Sequence, residues 1–249
     1  NTLSNQILKA TLRHIIKIKR IEKKLKDELW KYYWKFHGVD DIELQKNLFT
    51  KVRIHRNNAT YGFLLKLCHL IFDNTVIDEK SGKHYFKEFL GNDKAMAALF
   101  EAFIRNFYSK EQSQFKTRRE DIMWDIIPEE GFDTNYLPKM QTDITLESSE
   151  RKIIIETKYY VNALNNRYET EKYHSGNLYQ IYAYLRNIET KNTHPQNTST
   201  EGILLYPSNG YTLNDHYTFG SHKLNIRTID LSKPWRQIHN ELLQIINLS

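Results

Sequence analysis

Asp143, Glu156 and Lys158 stand in two apolar, β-prone segments, Met140-Gln141-Thr142-Asp143-Ile144-Thr145-Leu146 and Lys152-Ile153-Ile154-Ile155-Glu156-Thr157-Lys158-Tyr159-Tyr160. Segments of this composition belong in a core, and a core rarely carries unpaired charge because desolvating it is costly. A metal site resolves the conflict: two carboxylates hold Mg²⁺, and a lysine beside them orients or activates a water. Such a set suits phosphodiester hydrolysis, where the cation neutralises the scissile phosphate and the lysine stabilises charge developing in the transition state. Taken singly, Asp143 reads as a strand-end polar residue and Lys158 as an edge lysine that deters aggregation. Their order and convergence favour a site.

Convergence depends on the elements around them. Glu156 and Lys158 are two residues apart and share one side of a strand. The polar run Ser148-Ser149-Glu150-Arg151 is a hairpin signal. A turn there sets Asp143 opposite Glu156, while Thr157 faces the other way with its carbonyl available as a further ligand. A slip of one residue would part the carboxylates. Periodicity predicts strands over residues 114–127, 139–147 and 152–159. A helix is predicted over 96–108, with Glu101 set among apolar residues as a part-buried acid. The plainer alternative is an i,i+4 pair with Arg105. A helix over 170–187, a polar loop over 190–200 and strands over 202–207 and 224–231 follow. Pro234 opens a last amphipathic helix with the stripe Trp235, Ile238, Leu242, Ile245 and Ile246. Ahead of all this, apolar residues from Leu8 to Phe36 recur at helical spacing, predicting one long helix ended by Gly38. Shorter helices are predicted over 42–53 and 59–72, and residues 73–84 have loop composition. The expected organisation is a helical region over 1–92 and an α/β domain over 93–249 with a mixed central sheet flanked by helices.

Composition narrows the function. At 249 residues, 40% apolar and 13% aromatic, the chain can build a sizeable core and lacks the signature of disorder. A single cysteine, Cys68, excludes a disulfide framework and any site built on several thiolates, and fits a reducing compartment. No apolar run approaches the ~20 residues that span a bilayer, and no secretory signal is visible. Ten Lys/Arg against four Asp/Glu in residues 1–40 account for the whole net charge of +6. That basic element suggests phosphate contact, or simply a solvated helix face. Lys110, Lys116, Arg118, Arg119 and Lys139 flank the core strands and are candidate contacts to backbone phosphates; each also reads as ordinary solvated surface. The ten histidines show no i,i+4 pair within a helical stretch, which disfavours zinc. No glycine-rich phosphate loop is present, so nucleotide hydrolysis would belong to a partner. The chain begins at Asn1 rather than Met and is expected to be part of a longer protein.

The Asp, then Glu-X-Lys, order on adjacent strands resembles the PD-(D/E)XK nuclease superfamily. Glu101 lies on the helix before the first strand, where that superfamily often has an additional acid. Gln180-Ile181-Tyr182-Ala183-Tyr184 resembles the Gln-three-residues-Tyr motif of its RecB-like branch. Over residues 137–144, 154–160 and 177–185, and around Leu8–Leu12 and Leu99–Glu101, the chain is similar to the McrC family, the nuclease subunits of McrBC modification-dependent restriction systems. The similarity covers most of the chain. Thr142 stands where the superfamily name has Pro, and Glu156 where McrC proteins often have Asp. The resemblance implies a PD-(D/E)XK restriction-endonuclease-like core and a Mg²⁺-dependent DNA endonuclease in which Mn²⁺ can substitute. Asp143, Glu156, Glu101 and Thr157 would be the metal ligands and Lys158 would handle the attacking water. Gln180 and Tyr184 would position DNA or brace the site. It implies double-stranded DNA as substrate and a McrB-like AAA+ GTPase hexamer as the partner that recognises modified DNA, engaged through a region this chain is expected to lack. It also implies pairing of two nuclease domains to cut both strands, and antiviral defence in a prokaryotic cytoplasm. Two further readings are a non-catalytic DNA-binding scaffold that uses the basic N-terminal helix, and a stand-alone RecB-like exonuclease acting from DNA ends.

Overall fold

A computed structural model describes residues 1–18, 21–54, 59–73, 75–77, 84–86, 93–159, 164–167, 170–190, 195–208 and 210–247; Lys19, Arg20 and Tyr160 lie outside them. The chain divides into two compact units, Asn1–Ala95 and Met96–Ser249.

In the first unit, helices α1 (Leu3–Ile16), α2 (Lys23–Lys35), α3 (Lys46–Lys51) and α4 (Ala59–Asp73) precede an antiparallel pair, β1 (Thr75–Ile77) and β2 (His84–Phe86). The single helix expected up to Phe36 is broken after Ile16. Apolar spacing continues through the break, so periodicity alone does not reveal it. The β-branched residues Ile15, Ile16 and Ile18 weaken the helix there. The Ile18 N–H turns to the Ile15 carbonyl at 2.9 Å, and Ile18 is fully buried. Lys9 of α1 then fastens the chain beyond α2, donating to the Val39 carbonyl at 2.6 Å and pairing with Asp41 at 3.1 Å. The helix expected over 42–53 shrinks to α3, and the loop expected over 73–84 contains β1. Ile7, Leu65 and Cys68 form the small core between α1 and α4. Helix α2 buries none of its side chains; Trp30, Tyr32 and Trp34 are exposed among its lysines, with the two indoles stacked 6.0 Å apart.

The second unit is built around one sheet. Helix α5 (Asp93–Lys110) leads into β3 (Lys116–Arg118), β4 (Asp121–Ile122), β5 (Met140–Gln141), β6 (Ile144–Glu147) and β7 (Lys152–Thr157). A hairpin of β8 (Leu164–Arg167) and β9 (Thr170–Tyr173) precedes α6 (Ser175–Glu189); then come β10 (Glu201–Pro207), β11 (Asn214–Phe219), β12 (His222–Ile229) and α7 (Trp235–Asn247). The six-stranded sheet has the order β11-β12-β10-β7-β6-β3, with β7, β10 and β12 parallel and the others antiparallel to their neighbours. This is the expected α/β core with a mixed sheet. All six residues of β7 are buried, as a central strand covered on both faces requires. Helices α5 and α7 cover one face, meeting Ile153, Ile155, Ile203 and Leu205. Helix α6 covers the other, with Ile181, Tyr184 and Leu185 against Ile154 and Leu204. The buried Tyr108 hydroxyl donates to the Leu242 carbonyl at 2.9 Å and ties α5 to α7.

Several boundaries differ from expectation, each for a local reason. The strands expected over 114–127 and 139–147 are each cut in two. Arg118 pairs with Thr145 and Asp121 with Gln141, so one extra residue lies on the second strand. That is a β-bulge. Thr142, fully buried, stabilises it: its N–H donates to the Glu120 carbonyl and its hydroxyl accepts the Glu120 N–H, both at 2.9 Å. The helix expected from 170 begins only at Ser175, because Thr170 and Tyr173 suit the β8–β9 ladder. Strand β11 was not expected; its sequence Asn-Asp-His-Tyr-Thr-Phe has no alternating apolar face, and it lies at the sheet edge, largely exposed.

Helix α6 comes so close to β10 at Gly202 that an added Cβ would lie 2.9 Å from both Ile181 Cγ1 and Leu185 Cδ1. Gly202→Val should therefore lower stability by about 1–3 kcal/mol. Urea unfolding checks it, and an unchanged midpoint would mean that α6 lifts away at no cost.

Candidate active site

The hairpin turn places the candidate residues. Ser148 N–H donates to the Arg151 carbonyl at 2.9 Å, and its hydroxyl accepts the Arg151 N–H at 3.0 Å. The ladder that follows pairs Glu147 with Lys152 and Ile144 with Ile155. This is the register expected from the sequence, and its next step sets Asp143 against Glu156. Asp143 sits in the bulge, just outside β6. Its backbone N–H donates to Glu156 Oε1 at 3.0 Å. Its own Oδ2 accepts from the Thr157 N–H at 2.9 Å and the Thr157 hydroxyl at 2.8 Å. Thr157 thus contributes its hydroxyl as well as its position on the strand. Among the described residues every hydrogen bond to the Asp143 carboxylate goes to Oδ2, which leaves Oδ1 available.

Lys158 and Glu156 project toward α6. Lys158 Nζ lies 3.2 Å from Glu156 Oε2 and donates to Gln180 Oε1 at 2.8 Å. Gln180 Nε2 donates to the Tyr184 hydroxyl at 2.8 Å, and that hydroxyl donates to the Gln141 carbonyl at 3.0 Å. One directional chain therefore runs from the lysine back to the strand that carries Asp143. Gln180 and Tyr184 are four residues apart on α6 and so lie on one face. The burial of Ile181, Leu185 and Ile188 beside them fixes the helix rotation.

Glu101 reaches this end of the sheet from α5. Its carboxylate takes Arg105, one turn on, and also Arg119. The i,i+4 pair with Arg105 was legible in the sequence. Arg119 was not, because α5 and the β3–β4 kink meet only in the folded chain. Among the described residues no three His, Cys, Asp or Glu side chains gather into a metal-binding cluster. Two carboxylates completed by backbone oxygen and water remain a donor set of the kind Mg²⁺ accepts.

The electrostatics of the pair are unfavourable to two charges. Burial first, and then the Asp143 charge, push Glu156 up to about 7 against the relief given by Lys158 and the Asp143 N–H. Burial and the Glu101 charge raise Asp143, with its Thr157 bonds and Lys158 opposing. Burial, with lesser contributions from Glu156 and Asp143, also raises Tyr184, which stays a proton donor. A cation between the carboxylates would remove the conflict.

The candidate phosphate contacts separate. Lys116 and Lys110 are exposed. Lys139 is exposed and pairs with Asp121 at 2.8 Å, and Arg119 is half-exposed on Glu101. Arg118 is engaged elsewhere: it binds Glu147 and lies 3.4 Å from Glu120, beside the buried Lys152, which pairs with Glu120 at 2.9 Å. That four-residue cluster closes on itself and leaves Arg118 poorly placed for DNA. Lys152 was not singled out from the sequence; four-residue spacing from Glu156 on a strand was the available signal that it faces the same side.

A raised carboxyl makes the folded state prefer the proton. The stability that the Glu156 proton contributes is complete below the unfolded value and is lost as pH rises through about 7. Without divalent metal, Glu156→Gln should melt above the unsubstituted protein at about pH 8, by roughly 1–3 kcal/mol, with the gap closing toward about pH 5. Circular-dichroism melts across that range test it; a substitution that destabilises equally at both ends would refute the repulsion.

Comparison with known proteins supplies independent information. A family model for McrBC 5-methylcytosine restriction system components matches residues 1–207. The type IV methyl-directed restriction enzyme EcoKMcrBC of Escherichia coli is 32% identical over 247 residues, covering 99% of this chain and 70% of that protein. Among solved structures, a half-complex from a tetradecameric assembly of Thermococcus gammatolerans McrB AAA+ hexamers with bound McrC aligns over 100% of this chain and 52% of that chain, with a TM-score of 0.44 and 16% identity. The chain thus spans about half the length of that structural relative.

Proposed function

The chain belongs to the family of McrBC 5-methylcytosine restriction system components, and from that premise we propose that it is the DNA-cleaving subunit, a Mg²⁺-dependent endonuclease. The observation that carries the reading is the Asp143–Glu156 pair, Glu156 buried and Asp143 partly so, with Lys158 hydrogen-bonded beside it. Asp143 and Glu156 would hold Mg²⁺ or Mn²⁺, with the Thr157 carbonyl and water completing the set. Bound there, the ion would neutralise the scissile phosphate and acidify a water.

The chain's own residues supply the rest. Lys158 directs its ammonium toward the space beside Glu156, where it can orient the attacking water or stabilise charge on the phosphorane-like transition state. Gln180 holds that ammonium and Tyr184 holds Gln180, so neither needs to touch DNA in order to matter. Glu101 holds Arg119 at this end of the sheet and lies close enough for its charge to raise Asp143, so it would be a further candidate ligand for the ion. Lys116, Lys139 and Arg119 offer cationic contacts to backbone phosphate, and in the N-terminal unit the exposed lysines and indoles of α2 offer another. The partner in this reading is a McrB-like AAA+ GTPase that recognises the modified DNA. Two nuclease domains together would cut both strands. Among the described residues no helix is long and apolar enough to cross a membrane, and a prokaryotic cytoplasmic setting goes with the proposal.

Cleavage of methylated plasmid with Mg²⁺, by the chain alone or by the partner complex with GTP, is the direct test. Asp143→Asn and Lys158→Ala should each slow cutting by about 100-fold or more while leaving DNA binding in place. Gln180→Leu, which only loosens Lys158, should fall between them and the unsubstituted protein. If Asp143→Asn cuts as well as the parent, the catalytic assignment fails. If calorimetry also detects no Mn²⁺ binding that depends on Asp143, the non-catalytic scaffold becomes the better account.

A further inference from the structure

On the sheet face covered by α7, opposite the side from which Glu156 and Lys158 project, a cleft of about 490 Å³ opens between β11, β12 and α7. Its lining sets polar side chains beside apolar surface from Leu213 and Ile245. Asn214 comes from β11, Arg227 from β12 and Lys233 from the turn ahead of α7; Gln237, Asn240 and Gln244 come from one face of α7. Asn214 and Arg227 are paired in the β11–β12 ladder, so both strands hold this end of the cleft rigid.

Arg227 is the anomaly. It is only 9% exposed. Among the described residues its guanidinium has neither a hydrogen bond nor a carboxylate partner, and Nε is buried with none. Lys152, Arg118 and Arg151 in the same unit each have a carboxylate. The acid in the cleft, Glu241, is held by Lys233 at 3.1 Å. Burial lowers the Arg227 pKa with no opposing anion to restore it. An unpaired buried guanidinium weakens a fold, and apolar residues of similar volume would serve packing better. An anion from outside the chain would supply the missing partner.

We propose that this cleft binds a phosphate group, with Arg227 as its bidentate ligand and the amides of Asn214, Gln237, Asn240 and Gln244 as hydrogen-bonding partners. The planar guanidinium fork matches phosphate geometry. The volume lies in the range of small-molecule sites. Amides both donate and accept, which suits a phosphate ester with further polar groups. The phosphate has two possible sources, a free ester such as a nucleotide or the backbone of a DNA strand. The second is within reach because Thr157, Leu205 and Arg227 are neighbours in register across three strands. Two strand spacings, about 10 Å, therefore separate the Arg227 backbone from that of Thr157. The site shares no side chain with the Asp143–Glu156 pair, so it goes beyond the nuclease reading and stands or falls separately from it.

Calorimetry and thermal shift on the whole chain, without divalent metal, test the proposal. The probes are inorganic phosphate, a nucleoside monophosphate, a short DNA duplex and, as a carboxylate control, succinate. Binding of at least one phosphate probe should raise the melting temperature, and Arg227→Met should weaken it about tenfold or more. Arg227→Met is expected to fold at least as stably as the parent, since it removes an unpaired buried charge. Should it fail to fold, Asn240→Asp on the exposed side of α7 should reduce binding by repulsion instead. Binding of the monophosphate alone identifies a free ester, and binding of the duplex alone identifies the backbone. The proposal is overturned if no phosphate probe binds in a way that depends on these residues, or if succinate binds as tightly as phosphate.

Discussion

Two carboxylates confined to one buried end of a sheet repel each other, and the site is organised around that repulsion. Burial and the Asp143 charge raise the cost of ionising Glu156, while burial and the Glu101 charge raise that of Asp143. The surroundings relieve this only in part. Thr157 gives Asp143 two hydrogen bonds, the Asp143 N–H gives Glu156 one, and Lys158 adds a positive charge. The bulge at Thr142–Asp143 makes the arrangement possible, because it lets the Asp143 backbone reach Glu156 while its side chain reaches Thr157. In a regular ladder the backbone N–H of Asp143 would be directed by the pleat rather than toward a carboxylate.

Polar groups in the second unit fall into closed and open sets. Lys152, Glu120, Glu147 and Arg118 form a closed set near the β6–β7 turn, with both signs of charge present and near one another. Such a cluster balances its charge from within the chain, although among the described residues Glu120 Oε2 is buried without a hydrogen bond. At the far end of β7 the set is open on the negative side, with two raised carboxylates and one lysine in direct contact. At Arg227 it is open on the positive side. The same physical criterion, compensation of buried charge from within the chain, separates the structural cluster from the two places where an outside ion or group is called for.

The legible parts of the fold were those set by local pattern. The turn at Ser148–Arg151 and two-residue alternation are short-range properties, and they placed Asp143 against Glu156 in the correct register. The α7 stripe was equally readable, with Ile238, Leu242, Ile245 and Ile246 all buried. Features that depend on a distant partner were not. The break after Ile16 preserves helical spacing, and Lys9 settles it only by contacts beyond α2. Strand β11 has no apolar alternation and exists because β12 offers it an edge.

The identity and order of Asp143, Glu156, Lys158, Gln180 and Tyr184 are properties of the sequence alone; they raise the expectation of a metal-dependent hydrolytic site and point to the family to which the chain belongs. Tertiary structure decided which neighbours those groups have. Arg119 comes to Glu101 across 18 residues, Tyr184 to the Gln141 carbonyl across 43, and Arg227 to a cleft closed by a helix that follows it. A charge's partner is a matter of distance in space, and so is its desolvation. Neither quantity is written in spacing along the chain once the contact joins separate elements.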